Sequence, residues 1–347
     1  MPLKLNRTYL YIGIGILFLL VLAIALTIWR SNSNKIVLLN NPDKEKVFLP
    51  KLLTDNQSIY YYSQDKNEIK KWNLKNNSTE TWIKLPFKDT DNIIYAPDLT
   101  QALVQTINPS NAAEHHTYLI NLTTKQVVKQ LSDNLLAVDW SPDGKKIAYH
   151  YLDWNSEIDT DQIATSAPDG TQVETLAKID FENIKIVWAN DTSLIYYNVP
   201  FEAFLTKISL ISITTKKEEV IGDQYYLGDI IRISPNKLLI DATTSDSAQT
   251  NLNLLDTTKK TLIDLKSSSS VSKSTYAGKN SYIYAAYNKL ESTVSSDLFQ
   301  VINLETKKIT NLKIKSKDKI DANNLMLSSD VKTLYFISNN NLYKKNL

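Results

Sequence analysis

The chain has 347 residues, no cysteine and a formal net charge of +2. Without thiols there are no disulfides, and a domain of this size needs none to hold a core. The first thirty residues contain Lys4, Arg7 and Arg30 and no acid, so the remainder stands at −1 and lacks the basic footprint of nucleic-acid binding.

Residues 1–9 read as a short tail. Residues 10–29, LYIGIGILFLLVLAIALTIW, then run for twenty positions without a charge, enough at 1.5 Å per residue to cross a hydrocarbon core of about 30 Å. Ala23-Ile24-Ala25 imitates a signal-peptide cleavage site, but the apolar run continues through Leu26, Ile28 and Trp29, which favours an uncleaved anchor. A short tail before a long domain fits a signal anchor with its N-terminus in the cytoplasm. The expectation is a single-pass protein of the cell membrane, with a linker at 30–34 and a globular domain at 35–347 outside the cytoplasm.

That domain opens on KIVLLN, Lys35 to Asn40, a strand-like run. Nineteen tyrosines among many Ile, Val and Thr favour strands over helices. In DWSPDGKKIAY, Asp139 to Tyr149, a strand, a Pro-Asp-Gly turn and a second strand follow one another. Related hairpins recur around Ile59, Ala102, Ile147, Leu194, Leu238, Tyr282 and Leu334, at steps of 43, 45, 47, 44, 44 and 52 residues. Each is followed by a second hairpin with a Thr-Lys turn, as in TYLINLTTKQVVKQL and LFQVINLETKKITNL. A period in the forties made of four strands is the signature of a propeller blade. The predicted fold is therefore an all-β, seven-bladed, monomeric propeller, with strands a to d in each blade counted from the axis outward. The last unit, ending LYKKNL, supplies no strand d, so Lys35–Asn40 is expected to close it and cover an otherwise open edge.

Asp139 to Tyr149 resembles the W-S-P-D-G-K-x-I-A-Y repeat of TolB-like and related WD40-like propellers, matching closely at this one repeat and by hydrophobic frame elsewhere. The resemblance implies a fold far more than a function. No Gly-x-Ser-x-Gly elbow, phosphate loop or spaced metal motif is present in the sequence.

The candidate site residues gather on the b–c loops of blades two to six. His115 and His116 adjoin Glu114 in a loop entering a strand, and consecutive strand residues face opposite ways, so a shared metal is not expected. Asp153, Glu157, Asp159 and Asp161 share one acidic stretch whose oxygens would suit Ca²⁺, the single cofactor considered, although no EF-hand pattern is present. Trp154, Phe201, Phe204 and Tyr287 are large apolar groups in expected loops, where they need a reason. The opposite face has tight turns bearing Lys125, Lys216, Lys259, Lys260, Lys307 and Lys308, suited to lie near anionic lipid. These features point to a binding or scaffolding module for an envelope protein or polymer. The alternative is a propeller enzyme, a glycan lyase or lactonase-like hydrolase, with a cation-assisted site in the axial funnel.

Overall fold

The computed structural model describes residues 35–347 except 109–110, 134, 153–160, 181–182, 200–205, 244–250, 279–280, 288–295, 315 and 317–318, together with Leu19 and Val21. Among the described residues the only helical element within 35–347 is a 3-10 turn at Val271–Lys273. None is long and apolar enough to cross a membrane. The expected span at 10–29 falls outside the described residues save for those two positions.

The rest is antiparallel sheet. Strands β2–β5 (Phe48–Leu52, Ser58–Ser63, Glu68–Asn73, Ser78–Lys84) form one four-stranded sheet, and β6–β9 (Thr90–Tyr95, Gln101–Asn108, Asn111–Asn121, Gln126–Gln130) a second. A third comprises β10–β13 (Leu135–Trp140, Ile147–Tyr151, Asp161–Ser166, Glu174–Ile179). Strands β14–β16 (Ile184–Asn190, Ser193–Asn198, Thr206–Ser212) continue into β17 (Glu218–Ser234), which leads to β18–β20 (Lys237–Thr243, Asn251–Asp256, Thr261–Ser267) in one seven-stranded sheet. Within it β17 changes partner, pairing with β16 up to Tyr225 and with β18 from Tyr226. Next come β21–β24 (Ser274–Ala277, Tyr282–Tyr287, Leu298–Asn303, Ile309–Asn311) and β25–β27 (Asn323–Leu327, Thr333–Ser338, Asn341–Asn346). The last three are completed by β1 (Ile36–Leu38), whose Ile36 lies opposite Lys345 and Leu38 opposite Tyr343. Split at β17, the described strands make seven four-stranded units, and the predicted closing strand sits on the edge it was expected to cover.

The inner strands follow one another around a ring, with β2 beside both β6 and β25. The sequence explains why each joint holds. Strand b repeats an apolar stretch that is buried on both faces, as in Ile59–Tyr62, Ala102–Val104 and Leu238–Ile240. Each face packs against a different neighbour, giving seven apolar clusters, one per joint among the described residues. At the seam, Val47, Ile59, Tyr61 and Trp72 of the first unit meet Tyr335, Ile337 and Leu342 of the last. Trp140 on β10 and Trp188 on β14 anchor two of these joints and are 3% and 1% exposed.

The turns between strands c and d share one device. An Asn, Asp or Ser at the turn's first position, Asn73, Asn121, Ser166, Ser212, Asp256 or Asn303, is followed four residues later by a left-handed residue, Asn77, Lys125, Gly170, Lys216, Lys260 or Lys307. In the Asx cases the side chain accepts the amides of the turn, as Asn121 does from Thr123 and Thr124. Lysine is an unfavourable choice for left-handed backbone, at roughly 1–2 kcal/mol. Three of these lysines lean back on the preceding unit: Lys125 over the Trp82 ring at 3.7 Å, Lys216 to Glu174 at 3.4 Å and Lys260 to Glu219 at 2.5 Å.

Candidate functional site

Five inner strands break register near their start: Phe48/Lys51, Thr90/Asn92, Leu135/Val138, Leu227/Ile230 and Asn323/Met326. Such bulges re-aim side chains, and here they ring the axial mouth on the face formed by the d–a and b–c connections. Left-handed backbone at Leu49 and Asn324 accompanies two of them.

The mouth holds a cleft of about 460 Å³ between the second, third and fourth units, lined by Asp91, Asn92, Gln105, His115, His150 and Lys185 over a floor of Leu136, Val138 and Ile186. A second hollow of about 240 Å³, with Phe48, Tyr62, Gln64 and Asn324, shares Asp91 with it, so the two adjoin across the axis. Polar groups converging over an aliphatic floor are the usual make-up of a ligand site.

His150 is fully buried and its Nε2 lies 2.9 Å from Asp161 Oδ2. Burial lowers its pKa and the Asp161 carboxylate acts against this, with burial prevailing. The ring is thus neutral, and a carboxylate partner requires the proton on Nε2. Nδ1 is left as a buried acceptor with no hydrogen-bond partner. The arrangement is an oriented imidazole–carboxylate pair behind the cleft wall.

The sequence-predicted residues divide. His115 and His116 lie inside β8, opposite Ile107 and Thr106, which corrects their assignment to a loop. The hairpin is longer than expected because both sides keep pairing beyond Gln105. Their side chains do part as the strand period requires: His115 lines the cleft, while His116 Nδ1 sits 2.7 Å from Asp133. Tyr287 ends β22, pairs with Leu298 and donates to Asn311 Oδ1 at 3.2 Å, so it too belongs to a strand instead of a loop. Asp161 opens β12 and holds His150. Asp153, Trp154, Glu157, Asp159, Phe201 and Phe204 fall outside the described residues. Among the described residues no group of three His, Asp or Glu could hold a metal. Sequence reasoning missed His150, whose signal was a single His at the end of strand b, immediately before the acidic stretch.

Asp241, at the end of β18, adds a titrating group to this face. Its Oδ1 accepts the Val271 amide at 2.7 Å, and burial, with the nearby Asp229 charge, pushes its pKa up to about 7. Gly228 stands against it so closely that an added Cβ would lie 2.8 Å from the Asp241 Cβ. A carboxyl raised above its unfolded value stabilises the fold fully below about pH 4, and that stability is lost as pH rises through about 7. Asp241 should therefore make the melting temperature fall between about pH 4 and 7 and level off above, and Asp241→Asn should flatten the fall. Thermal melts across that range test this, and an unchanged slope in the variant would refute it.

The fold defines the class: an all-β protein of four-stranded sheets in a ring, a β-propeller with a polar cleft at its axial mouth. No family model and no curated protein matches the sequence. Among solved structures, an oligogalacturonate lyase in complex with manganese is similar over 90% of this chain and 90% of its own, with TM-score 0.64 and 9% identity. The β-propeller domain of the Trilobed protease from Pyrococcus furiosus, described as having an open velcro topology, is similar over 87% of this chain and 90% of its own, with TM-score 0.55 and 13% identity. TolB from Acinetobacter baumannii is similar over 75% of this chain and 64% of its own, with TM-score 0.51 and 12% identity. At such identities the likeness shows the fold alone.

Proposed function

We propose that the chain is a single-pass membrane protein whose seven-bladed propeller lies outside the cytoplasm and binds another envelope protein or polymer through its axial mouth. The observation that carries this is the paired cleft centred on Asp91, open on the face with the long b–c connections. Orientation supports it. β1 begins opposite Lys345, at the end of the ring that carries the c–d turns. The six residues from Arg30 to Lys35 reach at most about 20 Å. With 10–29 in the bilayer, the lysine turns lie toward lipid and the cleft points away.

Photo-crosslinking from Asn92 and Asn183 in native membranes, with Lys259 as the opposite-face control, tests the reading. Adducts from the two cleft positions and none from Lys259 are expected; adducts from Lys259 alone would assign function to the wrong face. The His150–Asp161 pair favours one second reading, an enzyme working at the same mouth, as the lyase likeness would suit. A rise in melting temperature with Ca²⁺ or Mn²⁺ that a chelator reverses would support that reading through ligand linkage.

A further inference from the structure

Each unit turns two residues of strand c toward the unit before it, opposite the strand b pair that packs on the same side. In six units at least one of the two is large: Trp72, Tyr118, Ile211, Leu255, Ile302 or Tyr343. In the third unit they are Ala164 and Ser166, opposite Tyr149 and Ile147. Six joints are thus filled from strand c, and one is not. Because β1 fastens the ring shut on β27, this joint cannot collapse onto the shortfall, and a void persists where the surroundings relax only in part.

The void is a hollow of about 370 Å³ between the second and third units, within the range of roughly 300–1,000 Å³ that small-molecule sites occupy. Tyr149 and Tyr151 line it from β11, and Leu131 and Leu135 from either side of the connection between β9 and β10. Val173, 61% exposed, marks where it opens to solvent. No lining residue is charged. Gln162 accepts the Thr175 hydroxyl through Oε1 at 2.8 Å, while among the described residues its Nε2 and the Tyr151 hydroxyl have no hydrogen-bond partner.

We propose that this hollow is a binding site for a small neutral aromatic molecule, a compound of one or two rings with a polar edge. Two tyrosine rings offer faces and edges for an aromatic partner, and the Gln162 amide with the Tyr151 hydroxyl can bond its polar edge. An ion would lose its hydration here without gaining a counter-charge. The other joints show what the space accepts when the chain fills it: Trp72 is 1% exposed, and Tyr118 stacks on Phe87 at 3.8 Å. The site is separate from the axial cleft and shares no lining residue with it, since Tyr149 and Tyr151 leave β11 on one face and His150 on the other.

The test titrates a fluoroindole into the full-length chain in lipid nanodiscs and reads the fluorine resonance and the melting temperature. Saturable broadening of the resonance and a rise in melting temperature are expected. Ala164→Tyr, which gives the third unit the residue of the second and the last, should abolish both while raising the melting temperature of the unliganded protein, because it fills the void. Ser166→Ile, the residue of the second, fourth and sixth units, should act in the same way and keeps the test meaningful if the tyrosine does not fit. Gln162→Leu should weaken binding about fivefold, the effect of losing one neutral hydrogen bond. No saturable binding to the native chain, or binding that survives in both filled variants, would overturn the site. Binding of hexanol as tight as that of the fluoroindole would overturn the aromatic assignment.

Discussion

Deleting residues 31–40, so that the chain runs directly from Arg30 to Asn41, should lower the melting temperature sharply and make the protein self-associate. The deletion takes away β1 and with it the pairing of Ile36, Val37 and Leu38 with β27. Ile36 packs on the cluster around Phe336, and Leu39 on the seam cluster around Trp72. Burying an aliphatic side chain contributes about 1.5–3 kcal/mol when complete, so two partly buried ones and the lost pairing make a loss of roughly 3 kcal/mol or more. The exposed edge of β27 becomes a template for a second copy. Calorimetry and size-exclusion chromatography read the two effects, and an unchanged transition in a monomeric variant would show that β1 does not close the ring.

Lys70→Met should cost about 1.5–3 kcal/mol, the usual worth of a hydrogen bond to a charged group, and should weaken the acid response of the protein. Lys70, on β4, is 3% exposed and reaches Asp43 and Glu45 in the segment leading from β1 to β2. Glu45 also takes Lys66 at 2.6 Å. Hydrogen bonds from Lys70 and Thr79 hold the Asp43 carboxyl below its usual range. Burial raises Glu45, but its bonds to Lys66 and Lys70 outweigh that and lower it as well. A depressed carboxyl contributes stability above its unfolded pKa and loses it as pH falls through the folded one. The native protein should thus lose stability below about pH 4. Without Lys70 the Asp43 carboxyl keeps the Thr79 bond and Glu45 keeps Lys66, so their pKa values rise part of the way and the variant should lose less stability than the native protein as pH falls. Melts at pH 7 and pH 3 decide it: an acid loss in the variant as large as in the native protein would rule out the account.

Asp241 acts in the opposite sense, its contribution falling from about pH 4 to 7, so these groups together place maximal stability near pH 4, where the two effects meet.

Much of the fold was legible because each unit repeats the same physical demand. A strand buried on both faces must be apolar at every position, so Ile59–Tyr62 and Leu194–Tyr197 announced themselves, and a sheet lacking its fourth strand required a donor that only Lys35–Asn40 offered. The site was far less legible. Its walls take a few side chains from each of several inner strands more than forty residues apart, so Asp91, Val138 and Lys185 have no spacing that sequence could reveal. The bulges that aim them do not alter the strand alternation enough to be read. The left-handed lysines were equally hidden, since Lys is a residue that sterics disfavour there. His115 and Tyr287 were found for the right region and placed in the wrong local structure, because hairpin length depends on pairing across the b–c connection.

β17 runs without a turn from the outer edge of one unit to the inner edge of the next. Elsewhere a break in strand pairing separates neighbours, and small rocking motions can be taken up there. At this one place a covalent strand, hydrogen-bonded on both halves, leaves nothing to flex. Breathing of the ring is thereby pushed to the remaining joints, above all the seam, where a three-residue strand is the fastening. Amide exchange should accordingly be slowest along Tyr225–Ile233 and fastest at Ile36–Leu38 and its partners on β27.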